Sequence, residues 1–190
     1  MPDARRTALT YRYERWRALS AGILETAGTT FLLLIAVRYY EAGSSAKALV
    51  AAGGSLGLML APGFVSRVAA SGWPVSRAAS RLAALGALSF LTMALVPVLP
   101  LFVFGSVLAM TTSSIAIPLL TQIYQENYPE RQRGKLFSRA FMIRIATAAA
   151  FSEIAGRALS GHISYFRWLL VVFAGAFAFA ANCLAQIPSR

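Results

Sequence analysis

Between Arg81 and Glu126 the chain runs for 44 residues without a charged side chain. A membrane-crossing helix needs about 20 mostly apolar residues, so the stretch is too long for one crossing and fits two. The segment "VPVLP", with Pro97 and Pro100, falls where a hairpin between them belongs. Each proline removes a backbone donor and disfavours helix just before it. Positions 18–37 carry only Glu25, 48–66 and 168–189 carry no charge, and 145–156 carry only Glu153. These stretches predict six spans near 18–38, 47–68, 79–97, 101–125, 137–160 and 166–187. Ala, Leu, Val and Phe follow one another without two-residue alternation, which favours helices over a membrane barrel. The expected fold is therefore an all-α polytopic membrane protein with six transmembrane helices.

Composition agrees. Of 190 residues, 57% are apolar and 13% charged, with mean hydropathy +0.61. Soluble domains run at roughly 45–50% apolar and about 25% charged. A soluble enzyme, a disordered tail and a fibrous protein are excluded on that ground. A single cysteine (Cys183) and a single histidine (His162) leave no disulfide scaffold and no Cys- or His-based metal cluster. No cofactor is expected. The net charge of +11 would suggest nucleic acid in a soluble protein. In an apolar chain it suggests arginines at a membrane surface, and no nucleic-acid partner.

The positive charges also orient the chain. Fourteen of the 18 Lys and Arg fall in the N-terminal arm, the second and fourth loops and the C-terminus. The other four, Arg38, Lys47, Arg157 and Arg167, belong to the opposite side. Positive loops stay cytoplasmic, so both termini are expected inside. Residues 1–17 read as a basic cytoplasmic arm and 18–190 as the transmembrane domain. The arm's "YRYERWR" suits an interfacial anchor, or a contact with lipid headgroups. The first span is not expected to be a cleaved signal peptide, because it carries Glu25 and no small-residue cleavage site.

Polar groups inside spans are costly and mark functional candidates. Glu25 reads either as a proton or cation site facing a cavity, or as a structural partner of an arginine from another helix. Arg144 either snorkels to the inner surface or faces an anionic substrate. Glu153 and Arg157 stand four apart, the spacing of a local helix pair. Thr111, Ser114, Pro118, Thr121, Gln122 and Gln125 form a stripe at helical spacing on the fourth span. Such a stripe lines a wet path or packs against protein. Gly53 and Gly57 fit the small-residue pattern that lets helices approach closely. The same "GGSLG" matches the serine-hydrolase elbow literally, with Ser55 as nucleophile. That elbow needs a strand–turn–helix setting and a base, and the span supplies neither. No catalytic constellation is expected.

The order of spans and basic loops resembles the N-terminal half of a major facilitator superfamily transporter. The segment carrying most of the likeness is "NYPERQRGKLFSR", Asn127 to Arg139. Members often have an R-G motif on the loop between helices four and five, matched here by Arg133 and Gly134, with Arg131 and Arg139 beside them. After the second span, "GFVSRVAASGWPVSR" keeps Gly63 and Arg67 but has Ser66 at the acidic position. The fourth span lacks the arginine of the drug/proton antiporters, which argues against that activity. The resemblance implies that helices one, four and five line the cavity. It also implies a second six-helix half, supplied by a partner or by a second copy of the chain.

The functional expectation is a secondary carrier that moves a small solute by alternating access, present here as an N-terminal half or a truncated form, in a bacterial cytoplasmic membrane. Its pathway candidates are Glu25, Thr111, Ser114, Gln122, Arg144 and Glu153. The alternatives are an accessory or structural membrane subunit and a membrane-embedded hydrolase.

Overall fold

The computed structural model describes residues 3–189, which are helical apart from short connections. The helices are α1 (Asp3–Thr26), α2 (Leu32–Arg38), α3 (Ser44–Ser71), α4 (Val75–Leu95), α5 (Leu99–Asn127), α6 (Glu130–Gly161) and α7 (Phe166–Ala185). A π turn, Ala27–Phe31, joins α1 to α2, so these three segments form one rod. A 3₁₀ turn, Ile163–Tyr165, leads into α7. The described residues thus form six helical rods in succession. Five of them, Ala4–Arg38, Ser44–Ser71, Val75–Leu95, Leu99–Asn127 and Ile163–Ala185, are long and apolar enough to cross a membrane. This is the make-up of an all-α integral membrane protein. The rod α6 has the length but not the hydropathy, because its first half carries Arg131, Arg133, Lys135, Arg139 and Arg144.

Local sequence explains the breaks. Gly72 closes α3 in the left-handed region at φ 64°, where a side chain would be strained, and Pro74 follows before α4 begins. Only residues 96–98 interrupt α4 and α5. Pro100 lies inside the first turn of α5, where its missing N–H has no bond to lose. The turn at "VPVLP" is as short as the expected connection but falls two residues earlier, at 96–98 instead of 98–100. Residues 3–17, read from sequence as an arm, are the first four turns of the same rod that continues to Arg38.

The principal packing pairs are α4 with α7, α3 with α5, α4 with α5, α1 with α6, and α1 with α7. α4 and α7 form the middle of the bundle, where the Phe90 ring packs in tilted contact with Phe173 and Phe177, centroids 5.3 and 5.7 Å apart. Phe31 and Phe151 extend this cluster. α3 and α6 are the least covered rods, and α6 buries only Ala140, Ala155 and Leu159 along its 32 residues. The pairing has an internal symmetry. Exchanging the first three rods for the last three in order turns α3·α5 into α6·α1 and α4·α5 into α7·α1, and leaves α4·α7 unchanged.

Candidate functional site

A cavity of about 440 Å³ opens between the α1·α6 pair and the α3·α5 pair. α4 and α7 back it with Ala83, Phe177, Ala180 and Leu184. One wall presents Arg17, Glu25 and Thr29 of the first rod and Arg144 of α6. The facing wall presents Ser55 of α3 and Thr112, Ser113 and Ser114 of α5.

The charged part of the wall is an ion pair between rods. Arg144 Nε donates to Glu25 Oε2 at 2.5 Å, with the two side chains 39% and 30% exposed. Glu25 Oε1 and the two Nη groups of Arg144 form no further hydrogen bond among the described residues. The guanidinium lies 5.8 Å from the centroid of the Phe141 ring. The approach of α1 to α6 depends on Gly22. A Cβ there would collide with the carbonyl oxygen of Arg144, Cβ of Thr147 and the backbone nitrogen of Ala148. Just beyond Glu25, the π turn loosens the helix, and Leu32 N–H bonds to the Ala27 carbonyl. Thr29 Oγ1 donates to the Glu25 carbonyl at 2.9 Å. Single π turns recur at functional sites in helices.

The facing wall is set by glycines too. A Cβ on Gly57 would meet Thr111 and Ser114 closer than any real contact allows, and one on Gly53 would press on Met110 and Val107. The Thr111 hydroxyl donates to the Gly53 carbonyl at 3.0 Å and so belongs to this helix contact. Ser114 lines the cavity instead. Farther along α5, Pro118, Thr121, Gln122 and Gln125 line a separate groove of about 770 Å³ between α3 and α5. There Gln122 Nε2 donates to Glu126 Oε1 at 3.1 Å. The polar stripe read from sequence is therefore divided among a contact, the cavity and the groove. Glu153 stands outside all three, paired with Arg157 at 2.5 Å with both side chains largely exposed.

In the "NYPERQRGKLFSR" segment, Arg133 Nη2 donates to the carbonyls of Gln125 and Tyr128 at 3.1 and 3.4 Å. It thereby satisfies orphan acceptors at the end of α5. Arg131 and Arg139 are exposed and form no ion pair among the described residues. Gly134 has open space where a Cβ would stand. Ser55 lines the cavity without a base bonded to it, while His162 stacks on Tyr165 between α6 and α7.

Sequence reading missed a polar cluster at the end of the bundle that holds the termini. Glu14 is buried, and Arg17 donates to both its carboxylate oxygens at 2.7 and 2.6 Å. Tyr124 OH donates to Glu14 Oε1 at 2.6 Å and accepts from Arg17 Nη2 at 3.1 Å. Asn127 Nδ2 donates to Thr10 and to the Pro188 carbonyl, and its own carbonyl accepts from Thr7. Ser189 bonds to Ser76 at the start of α4. Buried Tyr128 stacks on Tyr124, and burial pushes its phenol well above the usual tyrosine range. Arg17 also lines the cavity, about 12 Å along the helix from Glu25 by the usual rise. The available signal was the spacing Arg17, Ala21, Glu25, one face of one helix.

Comparison with family models, with curated proteins and with solved structures returns no match.

Proposed function

We propose that this chain is a six-span half of a secondary carrier, moving a small solute by alternating access. The observation that carries the reading is the Glu25–Arg144 pair, which joins two rods in the wall of a cavity inside the bundle. An opposite-charge pair at membrane depth is costly, and its usual place is a substrate or ion path. The cavity lies within the size range of small-molecule sites, about 300–1,000 Å³.

The packing symmetry supports the same reading. A 3+3 repeat nested in each six-span half is the construction of major facilitator carriers, and the exchange of rod pairs is what such a repeat produces. In this reading α6 also crosses the membrane, as the fifth of six spans. Its arginines near the start hold the cytoplasmic surface, and Glu25 neutralises the one deeper in. The end bearing the termini faces the cytoplasm of a bacterial cell, as the 14 positive residues on that side favour. The thinly covered α3 and α6 flank the cavity mouth and would receive the second six-span half or a second copy.

The test is transport by the chain together with its second half, or as its native oligomer, in proteoliposomes. Solute-driven counterflow is expected, and Glu25→Gln should abolish coupled uptake while leaving insertion intact. Normal coupled uptake by that variant would remove Glu25 from the mechanism. An accessory subunit, the competing reading, would show no transport in any assembly in which it alone lines the path.

A further inference from the structure

We infer that the cavity takes a zwitterion, a small solute carrying both a cationic amine and a carboxylate; this rests on the carrier reading for its biological sense but not for its chemistry. The pair uses one contact, Nε to Oε2, and leaves both Nη groups of Arg144 and Oε1 of Glu25 without protein partners among the described residues. A site of this kind offers a planar donor fork and an acceptor oxygen side by side. The fork matches a carboxylate in two-point geometry. The free oxygen of Glu25 matches an ammonium.

A solute with one charge meets the wrong partner as well as the right one. At about 4 Å and an effective dielectric of about 20, like charges repel by roughly as much as opposite charges attract, so the two effects offset. A zwitterion satisfies both members and leaves neither charge unpaired.

The opposite wall supplies the remaining chemistry. Helical hydroxyls commonly bond back to their own helix, as Ser20, Ser66 and Ser89 do here. Ser55, Ser113 and Ser114 make no such bond and no other among the described residues, although all three line the cavity. These are three hydroxyls free to accept from an ammonium or donate to a carboxylate across the space. Around them, Leu24, Val50, Met110 and Ile117 give an apolar lining for a side chain. A small amino-acid-like solute uses every one of these features.

The experiment is ligand-induced thermal stabilisation of the full chain in nanodiscs. The probes are a mixture of the common amino acids at millimolar concentration and two matched mixtures, the decarboxylated amines and the deaminated carboxylates. The amino-acid mixture is expected to raise the melting temperature and the matched mixtures are not. The double variant Glu25→Gln/Arg144→Gln, which leaves no unpaired charge, should weaken binding about tenfold or more, the scale of losing charged hydrogen bonds. Glu25→Gln alone should shift preference toward the carboxylates and Arg144→Gln alone toward the amines. Equal stabilisation by a singly charged mixture, no stabilisation by any mixture, or full binding by the double variant overturns the proposal. Counterflow separates the two readings. Zwitterion binding without transport ends the carrier reading alone, and transport of a solute indifferent to both residues ends the zwitterion alone.

Discussion

Gly22 of α1 lies against the carbonyl of Arg144 on α6, one helical turn before the glutamate that Arg144 pairs with. The bare Cα sets the distance between the two rods, and that distance lets Glu25 reach across. Two of the obstructing atoms are backbone and the third is Cβ of Thr147, so none can swing aside as the far end of a flexible side chain would. Gly22→Ala is expected to cost about 1–3 kcal/mol, the range for overpacking a close contact. It should also separate Glu25 from Arg144. Gly156→Ala, where a Cβ meets open space, is the control and should be neutral or slightly stabilising. Thermal unfolding of both variants in one detergent checks the contrast.

The cluster of Glu14, Arg17 and Tyr124 makes a graded prediction. Tyr124→Phe removes the phenol but leaves Arg17 on both oxygens of Glu14, so a loss of about 1–2 kcal/mol is expected. Arg17→Met leaves the buried Glu14 carboxylate without its cation, which should cost about 3–5 kcal/mol. The same melting assay reads both. Equal losses would mean that the three groups do not form the network described.

Two carboxylates in similar sequence settings should behave in opposite ways. Glu25 and Glu153 each lie in an apolar stretch and each pair with an arginine. Glu25 pairs across rods in the cavity, while Glu153 pairs with Arg157 on its own exposed helix face. Exposed pairs of this kind contribute little. Glu153→Gln should leave folding and uptake unchanged in the proteoliposome assay in which Glu25→Gln abolishes coupling.

Tyr40, in the turn after α2, gives a pH prediction. Burial is the main cause that pushes its phenol up to about 12, with Tyr39 adding and Arg167 opposing. Its hydroxyl is buried without a hydrogen-bond partner among the described residues. An unfolded tyrosine ionises near 10, so the folded state, which holds the phenol neutral, loses stability as pH rises from about 10 to 12. Tyr40→Phe should remove that alkaline component and leave the neutral-pH melting temperature equal or slightly higher, because an unsatisfied buried hydroxyl is itself a cost. A melting series from pH 8 to pH 12 checks it.

The rods were legible because charge spacing and length set them, and lipid permits little else. The sequence places Glu25 and Arg144 inside spans, but not opposite each other. Which rods touch is a tertiary fact carried by Gly22, one of 14 glycines. The α5 stripe shows the same limit: helical spacing groups Thr111, Ser114 and Gln122, whereas a small rotation past α3 sends each to a different surface. The first 17 residues were hidden for another reason. Their charges look solvated in sequence, and only the end of α5 and the C-terminal residues show that Glu14 and Arg17 are covered. The hydropathy of α6 is blurred by its arginines, one of which Glu25 neutralises from a neighbouring rod.

A carrier of this kind needs the space beside Glu25 and Arg144 to be a water-filled path within the membrane. That requirement is tested most directly by cysteine accessibility in intact membranes. With Cys183 replaced by Ala, single cysteines go in at Ser114 and Ser55, which line the cavity, and at Met59, which is 70% exposed on α3 outside this cavity. A charged thiosulfonate reacts only where water lets the thiol ionise. Rapid modification is expected at positions 55 and 114 and none at 59. Unreactive thiols at 55 and 114, or reaction at 59 just as fast, would contradict it.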